Sequence, residues 1–325
     1  MSLGIGIVGC GVIYPFHVEA INQYTNAHIV GIYDLDHEKA LSHQEGHNFN
    51  VYETLEAMLS DDKIDVIHVL TPHHEHYPIT KKALQANKHV FVEKPFTIYH
   101  KHAKELVELA DRKNKYLSVC FQHRTDKTTA LIKDYVTNKT YGNLLGIKGM
   151  VHWLRDATYY NQALWRGTWK EEGGGSLINQ GIHTLDLMIH IAGTVEHVHG
   201  TWMNIDHPYI EVDDNAYLTL DFTSGAKGLF NSTNSFAMST DVQLEYHFEH
   251  AHFYQIGETL YQMNDNELEK VAENTTREGV KSYFGSGHID IIRQFYDAII
   301  HDNKNYVRGV DTLETSRIID IVYQS

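Results

Sequence analysis

Short apolar segments rich in β-branched residues alternate with segments of helical periodicity along the first third of the chain. The apolar segments lie at 4–9, 28–33, 66–70, 89–92 and 117–121, and helical patterns lie around residue 20 and at 54–59, 79–86 and 102–114. Repeated strand–helix units indicate a parallel, doubly wound sheet. The pattern therefore predicts an α/β domain over residues 1–122.

From residue 144 the pattern changes to alternating positions in β-branched and aromatic segments. These segments lie at 144–154, 195–205, 216–222, 227–233, 242–250, 252–257 and 260–263, and helical patterns at 288–301 and 312–323 close the chain. Strands separated by short polar turns predict an α+β domain over residues 123–325 with a large open, mostly antiparallel sheet. One face is expected to pack on helices, including a helix that carries His183 and both closing helices, and the other to associate with further copies of the chain.

The composition narrows the class of protein. The 325 residues are 42% hydrophobic and 21% charged, which is typical of a globular protein with two domains. A net charge of -15 argues against a nucleic-acid partner, because phosphate binding needs clusters of Lys and Arg. No apolar run approaches the roughly 18 residues of a membrane span, and no leader opens the sequence, so we expect a cytoplasmic protein without a membrane partner. Cys10 and Cys120 are expected to be buried, reduced thiols.

A glycine turn separates the first predicted strand from the first predicted helix. Gly9 and Gly11 occupy the first two glycine positions of a G-x-G-x-x-G motif, where the backbone approaches a pyrophosphate at a helix N-terminus. The turn, with Val12 and Ile13, is therefore expected to bind a dinucleotide. Tyr14 stands in the third glycine position and is expected to loosen the packing of the helix on the strand or to tilt the helix.

Asp34 ends the second predicted strand, about 20 residues beyond the glycine turn. A carboxylate at this position accepts hydrogen bonds from both hydroxyls of an adenosine ribose and repels a 2′-phosphate. The sequence therefore predicts NAD as the cofactor and disfavours NADP.

Ligands of doubly wound sheets bind at the carboxyl ends of the strands, so residues directly after the later strands are candidate cofactor contacts. These residues are Thr71, Pro72, His73, His76, Glu93, Lys94 and Gln122. Lys94 precedes a proline, which favours an extended backbone at the lysine.

Taken together, these segments resemble a known family. Glu93-Lys94-Pro95, the stretch TPHHEH at 71–76 and the glycine turn are similar to landmarks of the Gfo/Idh/MocA family, which includes glucose-fructose oxidoreductase and inositol dehydrogenase. The stretch GGGSLINQGIHTLD at 173–186 looks like the family's second landmark. The resemblance spans nearly the whole chain and implies a Rossmann domain followed by a large open sheet, NAD or NADP as cofactor, and a homodimer or homotetramer.

The resemblance also implies that a Lys of the E-K-P segment and a His of the second landmark act at the reacting carbon. In this sequence they are Lys94 and His183. The family often has Asp where this chain has Asn179, and Asn cannot act as a charge partner. We therefore expect His183 to be neutral near pH 7.

Oxidation of a secondary alcohol needs a hydride acceptor and a base within about 3 Å of the hydroxyl proton. The Lys94 ammonium is expected to hydrogen-bond the substrate oxygen and stabilise developing alkoxide charge, and His183 is expected to be the general base. The alternatives without a catalytic role are that Lys94 is an ordinary surface lysine and that His183 is a solvated histidine of a helix. Asp186 either orients His183 or a substrate hydroxyl, or its charge only stabilises the first turn of its helix. The spacing along that helix predicts that Asp186 lies away from the apolar side.

A segment rich in aromatic and cationic residues lies at 155–169 and suits the stacking and hydrogen bonding of a sugar or nucleotide sugar. The predicted substrate-binding residues are Lys94, Arg155, Tyr160, Trp165, Arg166, Asn179 and His183. The alternative is a loop clamped against the core by its two tryptophans. The three glycines at 173–175 predict a flexible hinge rather than a phosphate cradle.

Two histidine-rich segments invite a metal assignment, at 73–76 and at 247–252. Zinc needs ligands that converge from defined spacings, whereas adjacent residues point in different directions and strand alternation divides the second segment between two faces. The sequence therefore predicts no metal site.

These features predict an NAD-dependent oxidoreductase that transfers hydride between nicotinamide and a secondary hydroxyl of a sugar, cyclitol or nucleotide sugar. Two alternatives stay open. One is a cofactor-binding sensor or regulator without turnover, against which the presence of both Lys94 and His183 argues. The other is an enzyme that recycles NAD in place to break a glycosidic bond or to epimerise a sugar.

Overall fold

The structure is a computed structural model that describes residues 2–44, 46, 48–275 and 287–324. The chain forms two compact units. The first unit comprises the residues up to Phe121 together with His288–Leu313, and the second comprises Gln122–Gly287 and the residues from Glu314 onward. The division expected from the sequence, between residues 122 and 123, differs from these units by Gln122, which lies in the second unit, and by the segment His288–Leu313, which lies in the first.

The first unit is built on a parallel sheet whose six strands have the order β3-β2-β1-β4-β5-β6. Its elements up to residue 121 are β1 (Leu3–Val8), α1 (Tyr14–Asn22), β2 (Ala27–Tyr33), α2 (His37–Ser42), β3 (Asn50–Val51), α3 (Leu55–Leu59), β4 (Val66–Val69), α4 (His73–Gln85), β5 (His89–Val92), α5 (His100–Lys113) and β6 (Leu117–Val119). Every pair of neighbouring strands runs parallel. The prediction of a doubly wound Rossmann sheet is confirmed.

The second unit is built on an eight-stranded sheet in the order β14-β13-β12-β11-β7-β10-β9-β8. Its elements are α6 (Lys127–Asn138), β7 (Leu144–His152), α7 (Ala157–Tyr160), α8 (Ile182–Ala192), β8 (Val195–Met203), β9 (Asn215–Phe222), β10 (Lys227–Thr233), β11 (Gln243–Phe248), β12 (His252–Ile256), β13 (Thr259–Asn264) and β14 (Glu267–Glu273). Only the pairing of β10 with β7 is parallel among the described strands of this sheet. The predicted large, mostly antiparallel sheet is therefore confirmed.

Helix α9 (Gly287–Ile300) completes the core of the first unit. Ile292, Phe295 and Tyr296 are buried in the same apolar cluster as Ile5 of β1 and Phe91 of β5. The prediction that this helix packs on the sheet of the second domain is wrong. Periodicity shows that a helix has an apolar face, but it does not show which surface that face meets.

Helices α8 and α10 (Leu313–Gln324) lie against one face of the second sheet, as expected. A Cβ added at Gly149 of β7 would lie 2.7 Å from the Met188 sulfur of α8, and at Gly200 of β8 it would lie 2.9 Å from an α10 side chain. Both glycines therefore let a helix approach the sheet closely. Tyr217 and Leu229, at alternate positions of β9 and β10, are exposed.

Several elements differ from the predictions. Helix α4 begins at His73 rather than near residue 79, and the sequence did not predict α2, β3, α6, α7 or β14. Almost every side chain of β14 is exposed, because it is an edge strand, and it therefore carries no apolar signal. None of the described helices combines the length and the apolar character that crossing a bilayer requires.

Candidate active site

The glycine turn has the geometry of a dinucleotide site. Gly9 has a φ of 98°, and a Cβ there would lie 2.8 Å from the Leu70 carbonyl oxygen, so only glycine fits. A Cβ at Gly11 would meet no heavy atom within 4 Å, so the backbone is open to a ligand at this point. Ile13 occupies the N-cap of α1 and has no side-chain acceptor for the first N–H groups of the helix. The residues present therefore fit a pyrophosphate.

Tyr14, which stands in the third glycine position of the motif, is the first residue of α1. Its ring is buried and packs against the His43 ring, with centroids 4.6 Å apart. Burial raises the pKa of the Tyr14 hydroxyl to about 12, so this group is neutral at physiological pH.

Asp34 is held beside the glycine turn by backbone donors. Its Oδ2 accepts a hydrogen bond from the Cys10 N–H at 2.7 Å, and its Oδ1 accepts one from the Asp36 N–H at 3.0 Å. The Lys39 ammonium lies 3.5 Å from Oδ2. These bonds fix a carboxylate at the end of β2, where a nucleotide ribose is bound in such sheets.

His76 links two of the segments that follow the strands. One ring nitrogen lies 2.9 Å from the Thr71 carbonyl oxygen and the other 2.6 Å from the Pro95 carbonyl oxygen. Burial lowers the pKa of His76, against the two carbonyl oxygens that favour its charged form. The assignment of His76 to cofactor binding stays a prediction. A neutral His76 ring can donate to only one of the two carbonyl oxygens.

Lys94 follows a buried carboxylate in the first unit. The Lys94 backbone N–H donates to Glu93 Oε2 at 3.2 Å, and the Lys94–Pro95 peptide is cis. Glu93 Oε1 lies 2.9 Å from His17 Nε2 and 3.6 Å from His288 Nε2. Burial opposes the charge of Glu93, but its histidine partners outweigh burial and hold the pKa of the carboxyl well below its usual range.

A chain of buried polar groups extends from Glu93 to α9. His17 Nδ1 lies 2.8 Å from His68 Nδ1, and His68 Nε2 lies 2.7 Å from the Tyr296 hydroxyl. Burial lowers the pKa values of both imidazoles and raises that of Tyr296. One arrangement satisfies every link: Tyr296 donates to His68, His68 donates to His17, and His17 donates to ionised Glu93. We call these four residues the polar chain.

The polar chain overlaps a group of possible metal ligands that the sequence analysis did not consider. Donor atoms of His17, Glu93, Cys120 and His288 all lie within 4.8 Å of one another. Two of these donor atoms, His17 Nε2 and Glu93 Oε1, are already joined by a hydrogen bond. The hydrogen bond accounts for two of the four groups, and the absence of a metal stays a prediction.

In the second unit, His183 lies near the start of α8. Asp186 of the same helix was expected on its outer side, and this expectation is wrong. Its carboxylate is buried and accepts bonds from Arg124 Nε and Nη2, both at 2.7 Å, and from Thr315 Oγ1 at 2.8 Å. Asp186 therefore anchors α8 through a bidentate ion pair that spacing along one helix cannot indicate.

His123 is a neighbour of His183 that the sequence analysis did not assign to the site. The two rings meet edge to face, with centroids 5.1 Å apart. His123 Nδ1 lies 2.8 Å from Asp126 Oδ2. Burial disfavours a charged ring, but the Asp126 carboxylate outweighs burial and raises the pKa of His123. Gln122, a predicted cofactor contact, begins the same 3-10 turn and belongs to the second unit.

Asn179 lies one turn before His183 and contacts a buried carboxyl group. Its Nδ2 donates to Glu172 Oε1 at 2.6 Å and to the Tyr159 hydroxyl at 3.3 Å. The other oxygen of Glu172 accepts from the Gly167 N–H at 2.5 Å. Burial raises the pKa of Glu172 to about 7. Neither Glu172 nor Tyr159 was predicted, because only the fold brings them to Asn179.

In the aromatic and cationic segment at 155–169, some residues form cation–π contacts and Tyr160 is buried in the core. The Arg166 guanidinium lies 4.1 Å above the Tyr159 ring, and that of Arg155 lies 4.7 Å above Trp153. Trp165 has its ring 5.6 Å from the Arg166 guanidinium and is half-buried. In contrast, Tyr160 is buried in the core, where its hydroxyl accepts from Asn234, so the structure places it away from solvent.

The glycines at 173–175 form a packed turn, so the expected hinge is wrong. A Cβ at Gly175 would lie 1.8 Å from the Asp213 carbonyl oxygen. The Asp213 carboxylate accepts bonds from the Gly175 and Leu177 N–H groups and from the Ser176 and Tyr323 hydroxyls. These bonds fix the short π-helical turn Ser176–Gln180 that precedes α8.

Two family models match this chain. Residues 3–121 match the model of an oxidoreductase family with an NAD-binding Rossmann fold. Residues 129–254 match the model of the GFO/IDH/MocA C-terminal domain. The two matches together cover most of both units.

Individual relatives are dehydrogenases of sugars. Glucose-6-phosphate 3-dehydrogenase of Bacillus subtilis is 29% identical over 189 residues, which are 57% of this chain and 52% of that protein. D-glucoside 3-dehydrogenase of Escherichia coli is 29% identical over 262 residues, 73% of this chain and 71% of that protein. The match thus spans about half the length of the Bacillus protein.

A solved structure shares the fold. The WlbA dehydrogenase from Bordetella pertussis, crystallised with NADH and UDP-GlcNAcA, superimposes with a TM-score of 0.89 and is 24% identical. The alignment covers 100% of this chain and 95% of that protein. At 24% identity, this comparison shows that the two proteins share a fold.

The polar chain predicts how the stability of the protein depends on pH. Neutral, buried His68 does not take up the proton that the same side chain binds in the unfolded state below about pH 6.5. Its contribution to the free energy of unfolding is therefore lost as the pH falls from there. We expect His68→Gln to make the free energy of unfolding depend less steeply on pH between about pH 6.5 and 5. The slope should fall by the equivalent of one proton, about 1.4 kcal/mol per pH unit, in urea unfolding.

The matched control for this prediction is His28→Gln, which replaces an exposed histidine of β2. The control should keep the wild-type slope. If His68→Gln also kept the wild-type slope, a neutral His68 in the polar chain would be excluded.

Proposed function

Because the chain belongs to the Gfo/Idh/MocA family of oxidoreductases, we propose that it is an NAD-dependent dehydrogenase of sugars, cyclitols or nucleotide sugars. The reaction transfers hydride between nicotinamide and a secondary hydroxyl of the substrate. The observation that carries the proposal is the open glycine turn with Asp34 beside it, in the same unit as Lys94. Relatives named for dehydrogenation of glucose 6-phosphate and of D-glucosides support the substrate class.

The cofactor would be held at the carboxyl edge of the first sheet. Backbone at 9–13 would meet the pyrophosphate and Asp34 the adenosine ribose, with Thr71, Pro72, His73 and Glu93 following the next strands along the edge. Once bound, the nicotinamide supplies the hydride acceptor. The chain's own residues supply orientation and proton transfer.

In this proposal, Lys94 and His183 act on the same substrate hydroxyl. The Lys94 ammonium donates a hydrogen bond to the substrate oxygen and stabilises negative charge on it. His183 accepts the hydroxyl proton as the hydride leaves carbon. The His123 ring, whose pKa the Asp126 carboxylate raises, meets the His183 ring edge to face and would help to orient it.

The residues proposed to bind substrate suit a polyhydroxylated ring. Trp165 offers an apolar face, and Arg155, Arg166 and Asn179 offer hydrogen bonds. A guanidinium also suits a phosphate or carboxylate substituent, since it pairs with such groups in bidentate fashion. Tyr159, which touches both guanidinium groups, joins this set in place of buried Tyr160.

Steady-state kinetics test the two catalytic assignments. We expect a panel of sugars, sugar phosphates, cyclitols and nucleotide sugars to include one that reduces NAD⁺, followed as NADH absorbance. With that substrate, Lys94→Ala and His183→Ala should each lower kcat/KM about 10²–10⁴-fold while NAD⁺ still binds. Matched controls are Lys101→Ala, an exposed lysine of α5, and His190→Ala on α8.

Wild-type kinetics in both substituted proteins would contradict the assignments. Binding of NAD⁺ without turnover of any compound in the panel would favour the alternative of a cofactor-binding sensor or regulator. Product formation without NADH accumulation would favour an enzyme that recycles its cofactor.

Asp34 sets the preference for NAD in this account. Asp34→Asn keeps an acceptor for the Cys10 N–H but removes the charge that binds the ribose hydroxyls. We expect the Kd for NAD⁺ to rise about tenfold and the preference over NADP⁺ to shrink, measured by titration calorimetry. Asp36→Asn, which keeps the N-cap of α2, should leave both constants unchanged. Unaltered binding of both cofactors by Asp34→Asn would refute this role.

We also propose that the exposed face of the second sheet pairs copies of the chain as a homodimer or homotetramer. The strand register places Tyr217, Leu229 and Ile256 on that face, and all three are exposed. We expect light scattering to give two or four times the mass of one chain, and Leu229→Glu to shift it toward one. A wild-type protein with the mass of one chain would rule the interface out.

A cytoplasmic location suits the two cysteines. Cys10 and Cys120 are buried and form no disulfide. Burial and the neighbouring Asp34 raise the pKa of Cys10 to about 12, so its thiol stays protonated. We propose that the protein works in the reducing cytoplasm.

A further inference from the structure

Two arginine side chains of the segment at 155–169 lie against the same aromatic ring. The guanidinium carbon of Arg166 lies 4.1 Å from the centroid of the Tyr159 ring, and that of Arg155 lies 5.3 Å from it. Both arginines are half-buried. Two positive charges are therefore held beside one ring, although like charges repel each other. We call Arg155 and Arg166 the arginine pair.

The arginine pair differs from the other described arginines in its electrostatic partners. In the part of the chain that the structure describes, neither Arg155 nor Arg166 has a carboxylate oxygen within 4.0 Å of its guanidinium nitrogens. The other arginines of that part each have one, and they are Arg112, Arg124, Arg293, Arg308 and Arg317. An anion that would neutralise the pair is therefore not supplied by the described residues.

Both guanidinium groups keep donors for a ligand. Nη1 of Arg155 donates to the Leu154 carbonyl oxygen at 3.0 Å. Nη1 of Arg166 donates to the Tyr159 carbonyl oxygen at 2.9 Å and to Gln162 Oε1 at 3.0 Å. Among the residues that the structure describes, none accepts a hydrogen bond from Nη2 of either arginine. Oxygen atoms of a bound anion can accept from these groups.

The backbone of Arg155 is fixed on both sides. Its N–H donates to the Asn234 carbonyl oxygen at 2.8 Å, and its carbonyl oxygen accepts from His207 Nε2 at 2.6 Å. The other ring nitrogen of His207 lies 2.7 Å from the buried Asp214 carboxylate. These contacts hold Arg155 in place before a ligand binds, which lowers the entropy that binding costs.

The acidic groups near the arginine pair have other hydrogen-bond donors. Asp156 is the N-cap of α7, and its Oδ1 accepts from the Tyr159 N–H at 3.2 Å. Glu172 accepts from the Gly167 N–H. Burial raises the pKa of Glu172 to about 7, although the Arg166 charge opposes this rise. The charge of Glu172 is therefore only partly present near neutrality, and the positive charge of the pair is left for a ligand.

We propose that the arginine pair binds a phosphoryl group of the substrate, which narrows the substrate class to sugar phosphates and nucleotide sugars. A phosphate monoester carries a charge of about −1.5 to −2 at pH 7, which matches two guanidinium groups. A carboxylate carries one charge and is satisfied by one arginine in bidentate fashion. The inference rests on the proposed function, in which Arg155 and Arg166 contact the substrate.

Tyr159 connects the arginine pair to the residues around His183. Its ring contacts both guanidinium groups, and its hydroxyl lies 3.3 Å from Asn179 Nδ2. Asn179 lies one turn before His183. The phosphoryl group is therefore carried by a part of the substrate other than the hydroxyl that is oxidised. Its contacts are the same before and during hydride transfer, so their loss raises KM rather than lowering kcat.

The first experiment measures anion binding without turnover. Wild-type protein is saturated with NADH, so that the site for the cofactor's own pyrophosphate is filled, and is titrated with inorganic phosphate, UDP and glucuronate in a calorimeter. We expect inorganic phosphate and UDP to bind and glucuronate to bind at least about tenfold more weakly than either. Arg155→Gln and Arg166→Gln should each raise the Kd of both phosphoryl compounds at least about tenfold.

Lys170→Gln is the matched control, because it removes an exposed positive charge directly after the same segment. Its Kd values should equal those of the wild type. Arg166→Lys keeps the charge and loses the planar set of donors, so its Kd values should lie between those of the wild type and Arg166→Gln. Circular dichroism verifies the fold of each variant.

The two phosphoryl compounds distinguish the two sources of the group. A Kd for UDP at least about tenfold below that for inorganic phosphate assigns the pair to the diphosphate of a nucleotide sugar, and similar values assign it to a sugar phosphate. Wild-type protein that binds neither compound would overturn the proposal, as would folded Arg155→Gln and Arg166→Gln proteins with wild-type Kd values. Glucuronate that binds as tightly as inorganic phosphate would overturn the assignment to a phosphoryl group. The comparison of the three anions uses wild-type protein alone and does not depend on the folding of a variant.

The second experiment tests the arginine pair in turnover. It uses a phosphorylated compound that the enzyme converts and the same sugar without its phosphoryl group. Arg155→Gln and Arg166→Gln should each raise the KM of the phosphorylated compound at least about tenfold, with kcat within about twofold of the wild type and the KM of the other sugar unchanged. His207→Asn keeps a donor for Asp214 and loses the bond to the Arg155 carbonyl oxygen, so it should raise the same KM by a smaller factor, about threefold.

The outcomes separate this inference from the proposed function. An enzyme that converts only sugars without a phosphoryl group, or one whose KM for the phosphorylated compound is unchanged in both glutamine variants, would overturn the inference and leave the dehydrogenase intact. A protein that converts no compound of the panel would count against the proposed function, and the titrations with inorganic phosphate and UDP would still decide what the arginine pair binds.

Discussion

The parallel register of the first sheet is the constraint on which the cofactor half of the site depends. Because β1 runs parallel to β2 and β4, and β4 to β5, the residues that follow these strands emerge at one edge. Gly9, Asp34, Thr71 and Glu93 follow them in turn. If one strand were reversed, the residue that follows it would lie at the opposite edge, away from the other three.

Buried carboxylates near the candidate site are supplied with donors before any ligand binds. Glu93 has the polar chain, Asp186 has the bidentate Arg124, and Asp213 has four donors from its surroundings. Such pairing offsets the cost of removing a charge from water. Burial raises the pKa of Glu172 to about 7 despite its hydrogen bonds from Gly167 and Asn179, and burial also raises the pKa of Asp213.

Features encoded by neighbouring residues were predictable from the sequence. The strand–helix alternation, the glycine turn and Asp34 depend on local periodicity and short spacings, and the structure places them as expected. The polar chain was not predictable, because its members lie at positions 17, 68, 93 and 296 and only folding brings them together. The same limit explains the wrong partner for α9 and the wrong environment for Asp186, since an apolar stripe does not show what covers the rest of a helix.

The measurement that tests the central claim most directly is the transfer of deuterium from substrate to cofactor in a single turnover. Enzyme in excess over NAD⁺ is mixed with a sugar of the relevant class that is deuterated at its ring carbons, and the quenched cofactor is analysed by mass spectrometry. The account predicts reduced cofactor that carries one deuterium, whether the enzyme releases it or recycles it later. Reduced cofactor without deuterium, or no reduced cofactor in any single turnover with substrates that the enzyme converts, would contradict it.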